Sequence, residues 1–199
     1  MSISSYAVTE EAVNFLKQFV ARPHEIGAIV PSSETLAREM VERVDWARVE
    51  VVVEYGPGLG AVTSEILRKA DGRDFFVIEV NEPYTHALRR RFPLLPVYLG
   101  SAAGIVEIAA AHGVTQVDCV ISSLPWANFP EVVQNQILDA MFDVMTPHGQ
   151  FATFAYMHGL PLPSGRRFRT KLEQRFRRVA RSGVIWRNAP PAIVYHCER

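Results

Sequence analysis

Val49-Glu50-Val51-Val52-Val53-Glu54-Tyr55-Gly56-Pro57-Gly58-Leu59-Gly60 is the stretch on which the fold turns. Val49–Tyr55 reads as a strand buried on both faces, because its apolar run is nearly unbroken rather than alternating. Gly56–Gly60 reads as a tight turn, and Ala61–Ala70 as the helix that the turn opens. Working outward toward higher numbers, Phe75–Val80 is a strand, Tyr84–Phe92 a helix and Leu95–Leu99 a short strand. Ala103–His112 is a helix, Val117–Ser122 a strand, Pro130–Met145 a helix and Gln150–Tyr156 a strand. Beyond the turn-rich Pro161–Gly165, Phe168, Leu172 and Phe176 keep helical spacing. Val179–Trp186 and Ala192–Cys197 then read as two strands joined around Asn188-Ala189-Pro190-Pro191. Toward lower numbers, Ser32 or Ser33 caps a helix with Leu36, Ala37, Met40, Val41 and Val44 on its inner face. An extended Gly27–Pro31 precedes it, and Thr9 caps an apolar-striped helix over 10–21. Strand–helix alternation implies an α/β fold with a parallel sheet and helices on both faces. The two closing strands, lacking a crossover helix, imply an antiparallel hairpin at one edge. The ligand crevice is expected at the carboxyl ends of strands one and four, where strand order reverses.

At 199 residues there is room for one such domain, with 48% apolar and 21% charged residues. Two cysteines, Cys119 and Cys197, and six scattered histidines give neither metal-ligand spacing nor a disulfide framework, so no metal is expected. No apolar run reaches the ~18–20 residues of a bilayer span, and no signal peptide opens the sequence. A soluble, cytoplasmic protein is the expectation. The net charge of zero conceals an asymmetry. Residues 1–165 hold 11 Lys/Arg against 19 Asp/Glu, whereas residues 166–199 hold 10 against 2. Such a basic segment suits a polyanionic partner, either nucleic acid or an anionic membrane surface.

The chemistry gathers at the strand ends. Gly56, Gly58 and Gly60 let a ligand lie against the main chain. Glu79, 19 residues after Gly60 at the end of the second strand, is placed to accept both hydroxyl protons of a ribose. Together they point to a bound nucleoside. Gly56-x-Gly58-x-x-Ala61 also satisfies a dinucleotide fingerprint, which keeps a nicotinamide enzyme open on that element alone. Three features favour a different cofactor. Glu54 precedes the first glycine by two residues and suits a positively charged ligand. Gly60 comes one position early for a dinucleotide. The fourth strand exits into Ser122-Ser123-Leu124-Pro125-Trp126-Ala127-Asn128-Phe129-Pro130, a segment suited to covering a reacting group.

Glu-x-Gly-x-Gly-x-Gly with a strand-end Glu resembles the S-adenosylmethionine (SAM) site of class I methyltransferases. Ser123-Leu-Pro-Trp126 resembles the motif of amine-directed members. With Gly27–Ser33, Leu124–Pro130 and Asn188–Ala192, nearly the whole chain resembles bacterial phospholipid N-methyltransferases, the short soluble type related to rRNA adenine dimethylases. The resemblance implies a Rossmann-like, seven-stranded, mostly parallel sheet over 31–199, closed by an antiparallel hairpin. It also implies SAM as cofactor, S-adenosylhomocysteine as product, and stepwise methylation of phosphatidylethanolamine toward phosphatidylcholine. An RNA adenine-type methyltransferase is the alternative, although the chain has no room for the extra helical domain of those enzymes. No DNA partner is implied, and a monomer is expected.

Carried over by position, Glu54 and Tyr55 border the amino-acid end of SAM, and Gly56, Gly58 and Gly60 its middle. Glu79 takes the ribose, and Val80 packs on adenine. Ser101-Ala102 stands where the superfamily often has an acid reading the adenine amino group. Ser123, Leu124, Pro125 and Trp126 form the catalytic segment, with the Leu124 carbonyl accepting from the substrate amine. Tyr156 and His158 are candidate proton acceptors, and Trp126 and Tyr156 candidate faces for a methylated cation. The 1–30 segment, with its helix, is read as a membrane anchor, and residues 166–187 as its electrostatic complement. Arg187 is a candidate contact for the lipid phosphate. These expectations put the protein peripherally on the inner face of the cytoplasmic membrane.

Overall fold

The computed structural model of the chain describes residues 32–199. The helix expected over 10–21, the extended Gly27–Pro31 and hence the 1–30 anchor lie outside the described residues. The strands are β1 (Val51–Tyr55), β2 (Asp74–Glu79), β3 (Val97–Leu99), β4 (Val117–Ser122), β5 (Met145–Tyr156), β6 (Arg178–Arg181) and β7 (Ala192–Glu198). They form one seven-stranded sheet in the order β3-β2-β1-β4-β5-β7-β6. The first five pair in parallel, while β7 is antiparallel to both β5 and β6. This is the expected fold, including the antiparallel closing hairpin. β1 has β2 on one side and β4 on the other, so strand order reverses there and leaves a crevice above the β1 and β4 carboxyl ends.

The helices are α1 (Glu34–Glu42), α2 (Ala61–Lys69), α3 (Glu82–Arg91), α4 (Ile105–His112), α5 (Glu131–Val144) and α6 (Pro163–Arg175). Successive β1 side chains enter opposite cores, as a period of two requires. Val53 and Tyr55 pack with Ile105, Ile137, Leu138 and Phe168 from α4, α5 and α6. Val52 packs with Leu36, Met40, Ile66 and Leu88 from α1, α2 and α3. Local chemistry sets the helix starts. Ser33 Oγ accepts from the Leu36 amide at 3.2 Å, and Asn81 Oδ1 accepts from the Tyr84 amide at 3.1 Å.

Three boundaries differ from the sequence reading by more than two residues. β5 begins at Met145, directly after α5, and Thr146-Pro147-His148-Gly149 is absorbed where the β4–β5 register shifts between Val117 and Cys119. A bulge tolerates a proline that a regular ladder would reject. α6 starts within the supposed turn, because Pro163 occupies its first turn, where a missing N–H costs nothing. β6 stops at Arg181 because the Ser182 side chain intervenes: its hydroxyl accepts from the Val194 amide at 2.9 Å. The Ser182 amide still donates to the Val194 carbonyl at 2.9 Å, and Ile185 bridges back to Ala192. No helix among the described residues is long and apolar enough to cross a membrane.

Candidate active site

Above β1 the chain turns through Gly56, at φ +66°, and Gly60, at φ +84°, both in the left-handed region. A Cβ on Gly56 would stand 2.8 Å from Leu124 Cδ2, and one on Gly60 would stand 2.6 Å from Phe92. Close packing of the turn on the β4 exit and on α3 therefore requires glycine at both. Gly58 differs: nothing lies within 4 Å of its would-be Cβ, so the turn's backbone is open to a ligand there. Arg91, from the end of α3, donates to the Leu59 carbonyl at 2.6 Å and to Ser64 Oγ at 3.2 Å, bracing the outer side of the turn.

Two carboxyl groups lie beneath this turn. Glu54 is 0% exposed, and Thr63 of α2 donates its hydroxyl to Glu54 Oε2 at 2.6 Å. Glu54 Oε1 is buried without a hydrogen-bond partner among the described residues. Burial pushes the Glu54 pKa up to about 8, opposed by the Thr63 hydrogen bond and reinforced by repulsion from Glu79. Glu79 is 4% exposed and accepts from the Gly58 amide at 3.0 Å and the Asn81 amide at 2.9 Å. Burial raises its pKa too, against these backbone bonds and one from Val80. A buried, repelling carboxyl pair with an orphaned oxygen is short of positive charge and of hydrogen-bond donors. SAM, a cation carrying an ammonium and a ribose diol, fits that lack. Glu54 could meet the ammonium, and the Glu79 carboxylate, already accepting from three backbone amides, keeps acceptor capacity for one ribose hydroxyl.

The side at which the sequence reading expects adenine is formed by the β2 and β3 exits. The Gly100 amide donates to the Glu79 carbonyl at 2.9 Å, which holds Ser101 next to Glu79 and the half-buried Val80. Ser101 Oγ accepts from the Ala103 amide at 3.2 Å, capping a short turn in which Ala102 is buried.

The β4 exit meets the glycine turn directly. The Ser123 amide donates to the Tyr55 carbonyl at 2.9 Å, and Leu124 lies over Gly56. Ser123 Oγ is buried without a partner among the described residues, as is the Tyr55 hydroxyl within the core. The Leu124 carbonyl already accepts from the Trp126 amide at 3.0 Å, leaving one lone pair for an amine. Trp126 corrects the sequence reading. Its ring is 2% exposed, stacks on Phe168 with centroids 4.9 Å apart, and donates from Nε1 to Ser122 Oγ at 3.1 Å. A ring held in the core in this way offers no face to a methylated cation. Gln134 Nε2 fixes the same bend by donating to the Trp126 carbonyl at 2.8 Å.

Tyr156 and the exposed His158 stack with centroids 5.6 Å apart at the β5 exit, and burial raises the Tyr156 pKa. Their segment adjoins the β4 exit, since a Cβ on Gly159 would sit 3.9 Å from Ala127. Arg187 is exposed on the 182–191 loop, which adjoins the carboxyl end of β5 through the Tyr156–Ala192 pairing. Its neighbour Asn188 anchors that loop: Asn188 Oδ1 accepts from the Ser33 amide at 2.9 Å, and Asn188 Nδ2 donates to the Pro190 carbonyl at 2.7 Å. Thus the Asn-Ala-Pro-Pro motif and the serine pair before α1 meet in space. Sequence reasoning missed Thr63, Arg91 and Gln134. Of these only Thr63 had a signal, a polar residue on the inner side of the first α2 turn.

No protein-family model matches the chain. An ornithine lipid N-methyltransferase from Singulisphaera acidiphila is 30% identical over 188 residues, spanning 92% of this chain and 93% of the relative. Among solved structures, a TehB-like SAM-dependent methyltransferase from Corynebacterium glutamicum shares the fold with a TM-score of 0.58. It is 13% identical and covers 95% of this chain and 98% of its own. Human methyltransferase-like protein 13, solved with S-adenosylhomocysteine, also gives a TM-score of 0.58 at 13% identity, over 82% of this chain and 78% of that one. The two structures speak for the fold, and the near full-length relative speaks for the family. The chain belongs to the class I SAM-dependent methyltransferases, in the family of the ornithine lipid N-methyltransferase.

Proposed function

We propose that the protein methylates the amine head group of phosphatidylethanolamine, stepwise toward phosphatidylcholine, at the inner surface of the cytoplasmic membrane. The observation that carries the amine chemistry is the contact between cofactor cradle and β4 exit. Leu124 packs on Gly56, so an acceptor held by the Ser123–Pro125 bend lies beside whatever occupies the glycine turn. Bound SAM supplies a methyl group activated on a sulfonium. The chain's contribution is alignment, which suits a direct displacement. In the first transfer the unpartnered Ser123 Oγ and the second lone pair of the Leu124 carbonyl orient the neutral amine through its two N–H groups, and in the second through the one that remains. Glu54 and Glu79 hold the cofactor and lend negative potential to a cationic reaction centre. The lipid assignment draws on the curated relative, whose name is that of an amine-lipid methyltransferase. That same name favours a second acceptor, the amine of ornithine lipid.

Membrane approach draws on the basic segment. Arg169, Lys171, Arg175, Arg177 and Arg178 are paired with Glu173, Glu131, Asp139 and Glu198. Arg166, Arg167, Arg181 and Arg187 have no carboxylate partner among the described residues and remain free for an anionic surface. Trp186, 74% exposed beside Arg187, suits the headgroup layer. The test offers labelled SAM with vesicles of phosphatidylethanolamine, vesicles containing ornithine lipid, and RNA. Label in phosphatidylethanolamine supports the reading, and label in ornithine lipid alone replaces it with the second. Label in RNA alone overturns both.

A further inference from the structure

An open groove of about 670 Å³ runs between α6 and the β6–β7 edge, outside the cofactor cradle. Its floor is Tyr195, 1% exposed, whose hydroxyl has no hydrogen-bond partner among the described residues. Tyr195 is the register partner of Arg181, so the two side chains share the sheet face that α6 covers. Arg166 and Arg169 project from α6 into the same groove, and Met157 and Leu160 form its wall. Glu173 also lines it and is held by Arg169 at 2.7 Å, so three guanidinium groups face one carboxylate. Positive charge is therefore in excess, and Arg166 and Arg181 have no carboxylate partner among the described residues. Met157 and Leu160 follow directly on Tyr156, so the groove opens at the carboxyl edge of β5, where the crevice lies.

We infer that this groove binds the phosphodiester of the lipid acceptor, with Arg166, Arg181 and the Tyr195 hydroxyl holding its oxygens and Met157 and Leu160 contacting the glycerol end. Planar guanidinium groups match two phosphate oxygens at once, and a phenol adds a directional donor. The inference rests on the proposed lipid-amine activity and names the part of the head group that the crevice leaves unread. An amine alone is a poor determinant, since many metabolites carry one. A second contact at the phosphate separates a lipid from the rest.

The test uses soluble ligands, so that membrane attraction does not enter: monomeric dihexanoyl phosphatidylethanolamine, its phosphate-free analogue dihexanoylglycerol, and inorganic phosphate. Binding to wild type, Arg166→Gln/Arg181→Gln and Tyr195→Phe is measured by calorimetry in the presence of S-adenosylhomocysteine. The expected result is at least tenfold weaker phospholipid binding in the double variant and a smaller loss in Tyr195→Phe. Dihexanoylglycerol should bind all three proteins alike, and phosphate more weakly than phospholipid. Equal phospholipid affinity in wild type and double variant overturns the inference, as does no measurable binding by wild type. So does an equal loss for dihexanoylglycerol. If phosphate-dependent binding is seen while wild type transfers no methyl to any amine lipid, the groove stands and the proposed function falls.

Discussion

Burial pushes the Glu54 pKa up to about 8, against the Thr63 hydrogen bond and with added repulsion from Glu79, which favours the protonated carboxyl without cofactor. If SAM sets its ammonium beside Oε1, the carboxylate is favoured, and SAM binding below pH 8 should expel a proton. SAM affinity should therefore climb between pH 6 and pH 8, at a slope approaching tenfold per pH unit. Calorimetry in buffers of different ionisation enthalpy would count the proton released, and Glu54→Gln should flatten the profile and bind most poorly, relative to wild type, near pH 8. The same group governs stability in the opposite sense. Its folded-state pKa lies above the ordinary 4.5, so its contribution is complete below that value and is lost as pH rises through about 8. Without cofactor, the melting temperature of wild type should fall across that window more than that of Glu54→Gln. Glu79→Ala acts on the turn as well as on the ligand. It strips the acceptor from the Gly58 and Asn81 amides, a cost of about 1–3 kcal/mol for each amide left buried and unpaired. Both SAM affinity and unfolding free energy should drop, and a variant with wild-type values of both would remove Glu79 from the site.

The bend after β4 behaves as a small packed unit. Trp126 stacks on Phe168 of α6 and meets Phe129 and Phe151 edge-on, so it joins the β4 exit to the helix lining the arginine groove. Trp126→Ala should lower the unfolding free energy by about 3–5 kcal/mol. Trp126→Phe, keeping a ring but losing the bond to Ser122, should lose far less. Denaturant titration of both variants checks this, and unchanged stability in Trp126→Ala would return the ring to the acceptor. The sequence marked this segment as important but not the direction of its ring, because that depends on Ser122, Gln134 and Phe168 arriving from three elements. Elements with a local signature were legible: the valine run of β1, the glycine turn, and Glu79 at its set distance. Thr146–Gly149 looked like a connection because proline and glycine mark bulges and turns alike. The bond from the Ser33 amide to Asn188 joins residues 155 apart, and no periodicity records such a pairing.

Across the whole molecule, the basic segment is partly neutralised by its own fold. α6 lies against α5, where Lys171 meets Glu131 at 3.1 Å and Arg175 pairs with Asp139. What remains for a membrane is fewer charges than the sequence count implies. Each basic residue near an anionic surface contributes about 1 kcal/mol, fading over a Debye length of ~8 Å at physiological salt. Binding to anionic vesicles should be released by salt, and Arg167→Gln or Arg187→Gln should each weaken it about fivefold. Arg177→Gln, whose guanidinium already shares Glu198 with Arg178, should change it little. Vesicle sedimentation over a salt series measures all three, and salt-insensitive attachment to neutral vesicles would mean that apolar contact dominates.

The position of β7 between β5 and β6 also bears on how the chain is made. β6 leaves the ribosome before β7 and has no partner until β7 arrives, while β5 keeps one edge unpaired for longer, from its own completion until β7. At roughly 5–20 residues per second, that edge waits a few seconds from the completion of β5 to the start of β7. An open, apolar edge is a template for pairing with other chains. The nascent protein is therefore most exposed to aggregation late in synthesis, after most of its sheet exists, and a translational pause between Tyr156 and Ala192 would prolong that exposure.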